Sequence, residues 1–132
     1  MTWAHARAAA AAGHGIGAHT YSHALLGRVP PVEARKEMAR SLQDVRGQLG
    51  IDRPPFCFPA GSIDARTVGV ARELGFRSAF RPGQRRRLNH GTDSDAFALV
   101  RVGLINAPAM HLEAELDGPF HRLRSLAGRY GT

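Results

Sequence analysis

Gly13-His14-Gly15-Ile16-Gly17-Ala18-His19-Thr20-Tyr21-Ser22-His23 is the stretch on which the fold turns. Its alternating glycines clear space for close backbone approach, and they deliver two histidines, His19 and His23, separated by three residues. At i and i+4 two imidazoles share one face of a helical turn, so both can reach one point in space and hold a divalent cation between them. Zinc sites need three or four ligands and only two are local here, so the spacing alone fits a pair of polar histidines on an exposed turn equally well. The packaging favours the first reading. Residues 14–18 form a short, Gly-rich apolar run that reads as a buried strand ending where the histidines begin, and α/β folds place their chemistry at the C-terminal ends of strands.

The chain has 132 residues, enough for one domain with a modest core. With 43% hydrophobic and 22% charged residues it does not have the composition of a disordered chain. A net charge of +7 invites an acidic partner such as nucleic acid. Against that, Lys36 is the only lysine and the arginines are scattered, a bias that looks like genomic base composition. The dense basic run, Arg85-Arg86-Arg87, sits among Pro82, Gly83 and Gln84, which mark a solvated loop, and no aromatic residue interleaves it to stack on bases. Nucleic acid is therefore not the expected partner. Cys57 stands alone, so neither an internal disulfide nor a thiolate cluster is available. The alanines at 8–12 are too few and too weakly apolar for the core of a signal peptide, and no run is long enough to span a membrane, so the sequence as it stands reads as cytoplasmic.

Helix and strand signals alternate along the chain. Thr2 caps a helix over residues 3–12 that Gly13 ends. After a turn region at 24–29, Pro30-Pro31 opens a second helix whose inner face is Met38, Leu42, Val45 and Leu49, with Gly50 as its stop. Residues 56–59 read as a buried strand, and Ser62 or Asp64 then caps a third helix faced by Val68, Ala71 and Leu74. Strands follow at 76–80 and 96–105, separated by the basic loop at 81–95. A helix at 110–116 comes next, and residues 119–132 form a basic helical tail. This order predicts an α/β fold with a parallel sheet and outer helices. A closed barrel of this type usually takes about 200 residues or more, so a partial one is expected, and it opens on a helix with no strand before it.

Taken in this order, the chain resembles the polysaccharide deacetylase family, the NodB-homology or carbohydrate esterase family 4 domain, a distorted (β/α) barrel. Residues 13–23 are similar to that family's His-[Ser/Thr]-x-x-His motif and the Gly-His-x-[Ile/Val]-[Gly/Ala] before it. Phe56-Cys57-Phe58-Pro59-Ala60-Gly61 resembles its Phe-Ala-Tyr-Pro-x-Gly motif, and Phe97-Ala98-Leu99-Val100-Arg101-Val102 a strand near the end of one subgroup. The likeness extends over residues 1–118. It implies a partial NodB-type barrel that removes N-acetyl groups from an amino-sugar polysaccharide or oligosaccharide. His19 and His23 would be two of three ligands to a divalent metal, zinc first, with Phe58, Pro59, Ala60 and Gly61 lining the substrate.

The chain also departs from the family pattern. The motif that supplies base and third ligand, Thr-Phe-Asp-Asp-Gly, is absent, and no aspartate precedes Asp44. Cys57 replaces an arginine and Ala60 an aromatic residue, and the Leu-x-His of the general acid is missing. His90 lies in the polar loop and His111 precedes Leu112 rather than following a leucine, so both read as surface histidines, with Asp64 and His111 kept as weak catalytic candidates. The first expectation is thus the C-terminal part of a deacetylase domain, weakly active or inactive alone. An alternative is a non-catalytic module that binds acidic polymer or nucleic acid through residues 81–87. A third is a structural partner that self-associates through an exposed sheet edge. Two placements follow from the topology: Phe58-Pro59 beside the histidine pair, and Cys57 in the core.

Overall fold

The computed structural model describes residues 1–82 and 95–101. Helix α1 (Trp3–Ala11) starts where the Thr2 hydroxyl accepts the His5 N–H and the His5 ring accepts the Thr2 N–H, a reciprocal cap with histidine in the third position. Helix α2 (Pro31–Leu49) begins on proline, whose missing N–H costs nothing there. It ends at Gly50, which takes φ 68° and donates to the Arg46 carbonyl. Its buried face is Ala34, Met38, Leu42 and Val45, as the helical period predicts. Helix α3 (Ala65–Glu73) is capped by Asp64, and Ser62 instead accepts the Gly27 N–H at 2.8 Å.

Strands β1 (Phe56–Cys57), β2 (Ala79–Pro82) and β3 (Leu99–Arg101) form a parallel sheet in that order. Phe56 pairs with Ala79, and Phe80 with Leu99. Parallel strands, with α3 joining β1 to β2, make this the α/β architecture that the sequence predicts. The strands are shorter than their apolar runs, and residues 102–105 of the last run lie outside the described residues. So do the basic run at 85–87, His90, His111, the helix at 110–116 and the tail at 119–132.

The expected buried strand at 14–18 is corrected. Only Ala18 joins the sheet, through one parallel bridge to Phe56, with its N–H on the Pro55 carbonyl at 2.8 Å and its C=O on the Cys57 N–H at 2.9 Å. His14, Gly15 and Gly17 are exposed. The reason is physical: the glycines have no side chain to bury, and among the described residues no strand pairs with the other edge of this segment. Gly17 has a different role, since a Cβ there would lie 2.9 Å from the Pro55 carbonyl oxygen, so only glycine allows the approach that seats Ala18.

Phe56 and Phe58 alternate with Cys57 along the chain and turn to one side, where both are fully buried. Phe56 meets Phe58 edge-on with ring centroids 5.1 Å apart, and it tilts over Phe76 at 4.9 Å. Leu26, Met38, Leu42 and Ala71 complete this core. Burying each such large side chain contributes roughly 1.5–3 kcal/mol. Cys57 faces the other way and is only half-buried, so its expected place in the core is corrected too.

Candidate metal centre

The Ala18 bridge lays the chain alongside β1, and the next residue is His19. Its Nδ1 lies 2.7 Å from the Cys57 carbonyl oxygen. A carbonyl can only accept, so Nδ1 carries the hydrogen, and in the neutral ring Nε2 holds the free lone pair. Thr20 and His23 both take the left-handed conformation, with φ 60° and 63°. These two reversals, and no helical turn, bring the His23 ring back to His19. The ring centroids are 4.9 Å apart with planes at 71°. The two rings lie close together, but the helical turn that was to bring them there is absent.

The loop between the histidines is held from beneath by Glu37 of α2. Its carboxylate accepts the N–H groups of Tyr21 at 3.0 Å and Ser22 at 2.8 Å, and the Ser22 hydroxyl at 2.8 Å. The Tyr21 ring is half-exposed, with the Arg40 guanidinium 3.7 Å over its centroid. Beside His19 is a cleft of about 320 Å³ whose lining includes Trp3, Gly17, Tyr21, Ser41 and Asp44.

The other expected site residues are distributed differently. The Cys57 carbonyl meets His19, which brings the end of β1 up to that ring. The side chains of Phe58 and Pro59 are nevertheless fully buried, and of the four expected substrate contacts only Ala60 and Gly61 reach the surface. The Asp64 carboxylate is engaged at the start of α3, accepting the Thr67 N–H at 2.7 Å and the Arg66 guanidinium at 3.1 Å. The Thr67 N–H above all holds it below the usual carboxylate range, against the opposing effect of burial and with further help from Arg66. Among the described residues no three His, Cys, Asp or Glu side chains gather to hold a metal ion. The histidine pair fits as part of such a site, two imidazoles with centroids 4.9 Å apart and the His19 ring fixed through its Nδ1.

Glu37 and Asp44 escape a reading confined to motifs. A signal was present: Glu37, Ser41 and Asp44 recur at the same helical period as Met38, Leu42 and Val45, one residue behind. Polar residues in that phase lie along the border of a buried face, and Glu37 and Ser41 are indeed buried.

A parallel α/β sheet with a histidine pair at the end of an edge segment has the layout of a NodB-homology deacetylase domain. The sequence model for polysaccharide deacetylases matches residues 1–79, and the chain belongs to that family. Two solved structures share its fold. The Streptococcus pyogenes deacetylase PplD, solved in complex with acetate, superposes with a TM-score of 0.75 at 20% identity, covering 89% of this chain and 50% of the other. A polysaccharide deacetylase from Bacillus cereus gives 0.70 at 17% identity, covering 88% of this chain and 36% of the other. The chain thus spans half or less of the length of these structures. No curated protein sequence matches it. Among the described residues no helix is long and apolar enough to cross a membrane.

Proposed function

We propose that the chain takes part in metal-dependent removal of N-acetyl groups from an amino-sugar polymer, with His19 and His23 as two of the metal's ligands and zinc as the first candidate. The observation that carries this is the close, edge-on pair of imidazoles, one of them tied at Nδ1 to the Cys57 carbonyl so that Nε2 is free to bind. When bound, the metal supplies Lewis-acid polarisation of the amide carbonyl and a lowered pKa for water. The chain's own part is to fix the two donors and to offer the cleft lined by Trp3, Tyr21 and Asp44 to a sugar chain. Aromatic rings with a polar rim suit a pyranose face.

Proton transfer is the weak point. Asp64 is committed to its cap and to Arg66, so it is a poor acceptor. With no carboxylate among the described residues joining the histidine pair, a positioned base is lacking, and one typically contributes 10²–10⁴-fold. On this reading turnover is slow.

Calorimetric titration of zinc into the protein tests the site. Binding should be modest and should weaken at least tenfold in His19→Ala and in His23→Ala, with acetate release from an N-acetylated chito-oligosaccharide low and zinc-dependent. An unchanged isotherm in the double variant would overturn the assignment.

A further inference from the structure

We propose that Glu37 is the positioning residue of the histidine pair: its carboxylate sets the loop that turns His23 toward His19. This rests on reading the pair as metal ligands.

The loop reverses twice within four residues at non-glycine positions, Thr20 and His23, in the backbone region that favours glycine. Such a conformation persists only where its surroundings hold it. Between those two residues lie Tyr21 and Ser22. The N–H groups of both, and the Ser22 hydroxyl, converge on the one carboxylate. Among the described residues the Thr20 hydroxyl bonds only to its neighbour's carbonyl, that of His19, and Arg40 stacks on the exposed Tyr21 ring. Neither contact fixes the direction of the chain at 21–22 as two backbone N–H bonds to one side chain do.

Glu37 itself is rigidly held. It is buried, with an exposure of 8%, on a 19-residue helix whose adjacent Met38 and nearby Ala34 are sealed in the core. No Lys or Arg among the described residues pairs with it, so the loop's N–H and O–H groups provide its hydrogen-bonding environment. A carboxylate in that place needs those donors as much as they need it. An apolar side chain of the same size would fill the space as well, so packing alone does not account for a glutamate. Three charge-assisted bonds to the segment between two candidate ligands do.

Three variants test this. Glu37→Gln keeps every bond, since its oxygen accepts both N–H groups and its NH₂ donates to Ser22. Glu37→Met keeps the volume and none of the bonds. Glu37→Asp keeps the carboxylate but withdraws it by one methylene. Two readouts are used: zinc titration, and in the metal-free protein the nuclear Overhauser contact between the two imidazole rings.

Glu37→Gln should bind zinc within about threefold of the parent and keep the ring contact. Glu37→Met should lose about 10–100-fold in zinc affinity, as second-layer substitutions typically do, and lose the contact while keeping its far-ultraviolet signature. Should Glu37→Met fail to fold, Glu37→Asp carries the test, with the same two losses expected. A Met or Asp variant that keeps the ring contact and the affinity overturns the proposal. If zinc binding is indifferent to His19→Ala in the parent, the metal reading fails instead. The ring contact, measured without metal, still decides the role of Glu37.

Discussion

His19 donates its Nδ1–H to the Cys57 carbonyl across 2.7 Å, so β1 selects the tautomer of a ring on the neighbouring segment. The relation depends on register. Ala18 pairs with Phe56, which leaves the following residue of each segment, His19 and Cys57, at the same level of the sheet. A slip of one residue would turn the imidazole to the other face.

The neutral His19 ring should therefore carry its hydrogen on Nδ1. Nitrogen chemical shifts of the metal-free protein would report a protonated Nδ1 and an unprotonated Nε2 for this ring, and the preference should vanish in denaturant. A His19 ring protonated at Nε2 in the native protein would contradict the bond.

Gly17 supports the same register. A methyl group there would come within 2.9 Å of the Pro55 carbonyl oxygen, which is backbone and cannot rotate away. Gly17→Ala should destabilise by about 1–3 kcal/mol, as overpacking does. Gly47, exposed in α2 with open space where a methyl group would sit, provides the contrast. Gly47→Ala should stabilise by about 0.5–1 kcal/mol through helix propensity. Urea unfolding of both variants checks the pair, and equal midpoints would argue against the close approach.

The helices were legible because their signals are local. Thr2, Pro31, Gly50 and Asp64 sit at or next to the ends they mark, and Met38, Leu42 and Val45 take the buried face. The segment at 14–18 misled because an apolar run with glycines looks the same whether or not a neighbour exists to bury it. The histidine spacing anticipated that the two rings lie near each other, but not how, since i and i+4 also meet when two left-handed residues reverse the chain. Glu37 was harder still. Its role depends on contact between residues fifteen and sixteen positions apart, which no local pattern encodes.

Cys57 is half-buried, and burial pushes its thiol up while Arg101 opposes the shift. The thiolate is the reactive form, so modification by a neutral thiol reagent at pH 7–8 should be slower than for an unstructured cysteine. The rate should rise with pH and approach the unstructured value in denaturant. Fast reaction of the native protein at pH 7 would contradict a raised thiol.

The Asp64 carboxylate links local structure to the acid limit of stability. The Thr67 N–H, with Arg66, holds its native pKa below the ordinary value near 3.8. A group depressed in the folded state stabilises the protein at pH values above its unfolded pKa, and that contribution is lost as pH falls through the folded one. The window thus lies below about pH 4. Asp64→Ala removes the cap altogether and should cost about 1 kcal/mol near neutral pH. Asp64→Asn can still accept the Thr67 N–H but has no charge to lose, so it should be less stable than the parent at pH 7, with the gap closing as the pH drops through 4 toward 2. Some acid dependence will remain in both proteins, because Asp95 is held low in the same way by the Phe97 N–H and by Arg72. Urea midpoints of parent and Asp64→Asn between pH 2 and 7 decide the matter. A gap constant across that range would mean that the Asp64 charge contributes nothing through its titration, and that the cap's value lies in the hydrogen bond alone.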